Sequence, residues 1–135
     1  MKKVYIVDDD QDIVHSISMV LKAHGYEVSS QYTDENVIEN VSRFKPDLII
    51  LDVIFPEDQS AGFKIARDLK KDEELAKIPI IMLSVVNEKG IYLGRFSDQD
   101  IDQEWLPVNQ FLDKPVQPDD LIKKVDTVLK ETAEK

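Results

Sequence analysis

Cysteine is absent from the 135 residues, so the chain has neither a disulfide framework nor a thiol nucleophile, and cysteine usage says nothing about its compartment. Long apolar runs are also missing. The longest, LIIL at 48–51 and IIML at 80–83, are far too short to cross a bilayer. The N-terminus MKKVYIVDDD carries two lysines but only four apolar residues before its aspartates, well short of a signal-peptide core. A cytoplasmic protein without membrane insertion is the expectation. Basic charge is scarce: 17 lysines and arginines face 27 acidic residues, for a net charge of −10. Such a field repels phosphate backbones and anionic lipid, which argues against direct nucleic-acid binding. Away from any motif, the acidic excess serves solubility.

What is present fits one globular domain, with 42% apolar residues to bury and 33% charged residues to solvate the surface. Short apolar runs rich in β-branched residues recur at 3–7, 48–52, 79–84 and 108–113, with a weaker one at 26–32. Helical patterns lie between them. Ile13, Val14, Ile17, Val20 and Leu21 form one stripe that stops at Gly25, with Asp10 or Asp12 as the expected cap. Thr33 or Asp34 is expected to cap a second helix carrying Val37, Ile38, Val41 and Phe44, ending before Pro46. A third fits Ala61 to about Glu74, with Phe63, Ala66 and Leu69 inward. Pro118 and Asp119 open a last helix with Leu121, Ile122, Val125, Val128 and Leu129 on one stripe. Strands alternating with helices, and central strands apolar on both faces, predict a parallel sheet covered on both sides.

In such sheets ligands gather beyond the carboxyl ends of the strands. The first strand runs into Asp8, Asp9 and Asp10, the third ends in Asp52, the fourth in Ser84, and the fifth leads to Lys114 and Pro115. A run of carboxylates holds protons, sits solvated as a helix-capping loop, or waits for a cation. An aspartate closing the buried PDLIIL strand favours the cation, because a lone buried charge is costly. Hard oxygen ligands of this kind suit Mg²⁺ better than a softer metal.

IVDDD, PDLIILDVIFP, PIIMLS and FLDKP, each at the end of its expected strand, together resemble the CheY-like receiver domain of bacterial two-component response regulators. The resemblance implies a flavodoxin-like, doubly wound sheet of five parallel strands in the order 2-1-3-4-5. The expected organisation is a receiver domain over 1–131, a C-terminal tail at 132–135 and no output domain, since one domain of this length leaves little room for one. On that resemblance Asp52 accepts a phosphoryl group, Asp8, Asp9 and Asp52 bind Mg²⁺ with the backbone carbonyl of Ile54, and Lys114 offsets charge. Ser84 matches the hydroxyl residue that approaches the phosphoryl group, and Phe111 falls at the aromatic switch position. Asp10 reads as a helix-start residue. The implied partners are a sensor histidine kinase or phosphotransfer protein as donor and an unidentified protein as target. The implied activity is a signalling switch that catalyses only its own phosphorylation and dephosphorylation.

Two stretches depart from the family pattern. The loop 56–62 is slightly long, and the segment 85–107 is long, lacks a sustained helical stripe and predicts a short or irregular fourth helix. Two other functions compete. Asp8-x-Asp10 is also the nucleophile and acid pair of haloacid-dehalogenase-like phosphatases, but Gln11 stands where that pattern has a small β-branched residue. Val85, Val86 and Asn87 supply none of its further acidic ligands. The other is a receiver-fold binding module that signals without phosphorylation.

Overall fold

Alternation of apolar side chains between two faces makes the strands the middle of three layers. The computed structural model describes residues 2–33, 35–52, 61–85, 110–114 and 117–133. Five strands, β1 (Lys3–Val7), β2 (Glu27–Gln31), β3 (Leu48–Asp52), β4 (Ile80–Val85) and β5 (Gln110–Lys114), form a sheet in the order β2-β1-β3-β4-β5. Every pairing is parallel, as expected for strands joined by helical crossovers.

Helices α1 (Gln11–Ala23) and α4 (Pro118–Ala133) cover one face. Val14, Ile17, Leu21, Leu121, Val125 and Val128 pack there on Val4, Ile6, Leu48, Ile50, Ile81 and Leu83. The other face is covered by α2 (Val37–Phe44), α3 (Ala61–Lys71) and a 3₁₀ turn at Leu75–Lys77. Residues one step along each strand, Tyr5, Val7, Ile49, Leu51, Ile80 and Met82, meet Val41, Ala66 and Leu69 there. All five residues of β3 are buried, so its side chains serve both cores at once. Fully burying each such leucine or isoleucine stabilises the fold by roughly 1.5–3 kcal/mol.

The ends of the helices follow local chemistry. Asp10 Oδ1 accepts from the amides of Asp12 and Ile13 at 3.0 and 3.2 Å, which caps α1. Past its other end Gly25 takes φ +89°, a left-handed position that closes the helix. The second helix starts later than Thr33 or Asp34 would give. Thr33 Oγ1 accepts instead from the amide of Glu35, and α2 begins after Asn36, whose φ is 56°. It stops at Lys45, again at φ 56°, one residue before Pro46.

Helix α3 ends three residues before Glu74, because Asp72 Oδ1 turns to cap the 3₁₀ turn through the amides of Glu74 and Leu75. The final helix runs through Thr132 and Ala133, two residues past the expected edge of the tail. The expected fourth helix, between β4 and β5, lies outside the described residues. No helix among the described residues is long and apolar enough to cross a membrane.

Candidate metal centre

The register of β1 on β3 pairs Val7 with Leu51 and thereby sets residue 8 beside residue 52. Asp8 and Asp52 are the buried charged residues of the described chain, at 0% and 2% exposure, while Asp9 is the most exposed of the trio it forms with them. One carboxylate oxygen from each of Asp8, Asp9 and Asp52 lies within 4.8 Å of the others. Three anionic oxygens that close, two of them shielded from water, repel one another and are stabilised by a shared cation. The donor set is all oxygen, so it fits a hard divalent ion such as Mg²⁺. Asp10 stands apart: its backbone amide donates to Asp8 Oδ1 at 2.9 Å while its own carboxylate caps α1. The adjacent aspartates thus take different structural parts, because the chain turns from strand to helix between them.

Two of the other expected site residues, Ser84 and Lys114, reach the same edge through the sheet. Asp52 pairs with Leu83, so Ser84 is the next residue along β4, and the register of β4 on β5 pairs Ser84 with Asp113 and Val85 with Lys114. Ser84 and Lys114 therefore lie at the carboxyl ends of their strands, beyond the strand that carries Asp52. Phe111 pairs with Met82, three residues back along β5 from Lys114. Ile54 lies outside the described residues.

Sequence reasoning did not anticipate Gln31, the last residue of β2. Its Oε1 accepts from the Tyr5 hydroxyl at 2.6 Å and from Asn40 Nδ2 at 2.9 Å. Its Nε2 donates to the carbonyls of Thr33 and Glu35 at 2.6 and 2.8 Å. Its backbone carbonyl accepts from the amide of Asp8 at 3.2 Å. Burial raises the Tyr5 hydroxyl above its ordinary pKa, against the opposing pull of Asn40 and the Arg43 charge, so the neutral donor is the favoured form. A glutamine ending a polar edge strand gives no signal in sequence, since all but the nearest of its partners come together only on folding.

Residues 4–126 match the family described as the response regulator receiver domain. Protein PilH of Pseudomonas aeruginosa is 27% identical over 132 residues, an alignment covering 96% of this chain and 98% of PilH. The phosphate regulon transcriptional regulatory protein PhoB of the same organism is 32% identical over 131 residues, covering 97% of this chain and 53% of PhoB. The chain thus spans about half the length of PhoB and nearly all of PilH. Among solved structures, the chemotaxis protein CheY4 of Vibrio cholerae superposes with a TM-score of 0.78 at 25% identity, over 95% of this chain and 98% of that one. A CheY-like receiver domain protein from Methanospirillum hungatei shares the fold at a TM-score of 0.79 and 24% identity, over 99% of this chain and 98% of its own.

Proposed function

The chain belongs to the response regulator receiver domain family, and from that premise we propose that it works as a Mg²⁺-dependent phosphorylation switch with Asp52 as the acceptor. The observation that carries the reading is the meeting of Asp8, Asp9 and Asp52 oxygens within 4.8 Å at the carboxyl edge of the sheet. These three residues would hold the ion, which when bound offsets negative charge on the phosphoryl oxygens.

A carboxylate oxygen of Asp52 forms the new P–O bond as the P–N bond of a phosphohistidine on the donor breaks, and the imidazole departs. The chain's own contribution is positioning and charge compensation. Asp52 ends a strand buried along its whole length and paired on both sides, which holds its backbone in place for attack. The Lys114 ammonium stabilises the product charge, and the Ser84 hydroxyl donates to a phosphoryl oxygen. Phe111 repacks as Ser84 is drawn in, presenting a changed surface to the target protein. The donor is a sensor histidine kinase or phosphotransfer protein, and the exchange takes place in the cytoplasm.

The capping role of Asp10 favours this reading over a phosphatase, because the carboxylate that would serve as general acid is engaged by two backbone amides. Intact-mass measurement after incubation with acetyl phosphate tests the proposal. The parent chain should gain one phosphoryl group with Mg²⁺ and none with excess chelator, and Asp52→Asn should gain none. Labelling of Asp52→Asn to the parent's extent would overturn it. Turnover of p-nitrophenyl phosphate that is lost in Asp10→Asn would establish the phosphatase instead.

A further inference from the structure

At the outer edge of the sheet β2 has, among the described residues, a neighbour on one side only, β1, and it is five residues long. The last rungs of such a ladder open readily unless something else holds them. The rung just past Val7 and Gln31 is the bond from the Asp8 amide to the Gln31 carbonyl, and the Asp8 carboxylate projects from that same backbone unit.

Gln31 is held by its side chain at this edge of the sheet. A carboxamide has two N–H donors and one oxygen that accepts two bonds, and all four capacities are met here. The partners come from three directions: Tyr5 in β1, Asn40 in α2, and the carbonyls of Thr33 and Glu35 in the connection between β2 and α2. With its side chain fixed at four points, the residue's carbonyl has little freedom to turn away from Asp8.

We propose that Gln31 is a positioning residue for the acidic cluster: its carboxamide fixes the end of β2, the end of β2 fixes the Asp8 backbone, and the site's affinity for a divalent cation depends on it. The inference rests on reading Asp8, Asp9 and Asp52 as a cation site. It also ties the connection after β2 to that site, since loss of the Thr33 and Glu35 contacts and loss of the Asp8 hold are one event.

Mg²⁺ titration by calorimetry, at a temperature where circular dichroism shows each protein fully folded, is the test. Gln31→Leu should raise the Mg²⁺ Kd by about tenfold, the lower end of what outer partners of metal ligands contribute. Tyr5→Phe keeps the ring in the core and removes one of the four bonds, so it should give a smaller rise in the same direction. It carries the test if Gln31→Leu does not fold. Tyr26→Phe is the control, because it likewise removes a long-range tyrosine hydroxyl bond, to Asp126, beyond the other end of β2. Its Kd should match the parent's even if its melting temperature falls. An unchanged Kd in the Gln31 and Tyr5 variants, or an equal rise in Tyr26→Phe, overturns the proposal while leaving the cation site standing. A parent chain that binds no Mg²⁺ overturns both.

Discussion

Replacing Asp10 with alanine removes an acceptor that two amides of the first turn of α1 share, at 3.0 and 3.2 Å. Loss of such a cap costs about 1 kcal/mol. Removing a negative charge from the positive end of the helix adds roughly 0.3–1 kcal/mol. Relief of repulsion from Asp8 and Asp9 acts in the opposite direction, but Asp10 is exposed and the interaction is screened by water and salt. The net loss is therefore about 1–2 kcal/mol. At about 4 °C per kcal/mol for a domain of this size, the melting temperature should fall by about 4–8 °C. Asp10→Ser restores the acceptor without the charge and should recover at least half of the loss. Thermal and urea unfolding followed by circular dichroism read both variants, and acetyl phosphate labelling is measured alongside. An Asp10→Ala protein as stable as the parent, or an Asp10→Ser protein as damaged as Asp10→Ala, would refute the capping argument. Loss of labelling in a folded Asp10→Ser protein would place Asp10 in the chemistry after all.

Tyr26→Phe should lower stability by roughly 0.5–1 kcal/mol through the lost bond to Asp126, read by urea unfolding at neutral pH. Burial, then the hydrogen bond and charge of Asp126, raise the Tyr26 hydroxyl well above the ordinary tyrosine value of 10.0. Its contribution is complete below that value and fades as pH rises beyond it, since the unfolded chain ionises first. The stability gap between parent and Tyr26→Phe should hence narrow above pH 10, and a gap that widened would contradict the assignment. Gly25→Ala should cost about 1 kcal/mol from backbone strain alone, because φ is +89° and an added Cβ meets nothing within 4 Å. Asn, which tolerates that conformation better, should cost less by the same unfolding assay.

Much of the fold could be read from where apolar runs break. β1 and β3 stand out because Val4–Val7 and Leu48–Leu51 are uninterrupted and each ends at an aspartate, which also marks Asp8 and Asp52 as candidates for a site. The stripes of α1 and α4 were legible for the same reason: their buried residues recur at helical spacing. Edge strand β2, EVSSQ, was faint because among the described residues it pairs only with β1, and four of its five residues are polar. The start of α2 and the end of α3 shifted where a side chain chose a turn over a helix. Thr33 and Asp72 both bond amides two residues ahead, an option sequence alone does not rank against continued helix. Gln31 escaped notice for a different reason: Tyr5 and Asn40, 26 and 9 residues away, become its neighbours only in the folded chain.

Helix α2 spans eight residues and is bounded on both sides by non-glycine residues at φ 56°, Asn36 and Lys45. A lysine held there carries a steric penalty of about 1–2 kcal/mol, and two turns of helix return little propagation energy to offset it. Melting this stretch as a unit releases that strain, so its amides should exchange with solvent through a subglobal opening of lower free energy than global unfolding. The hinge of such an opening is the junction at which Gln31 grips Asn40. A segment that opens on its own and the carboxylates of Asp8, Asp9 and Asp52 are in this way neighbours along one strand end, and a cation bound at one should be felt as slower exchange in the other.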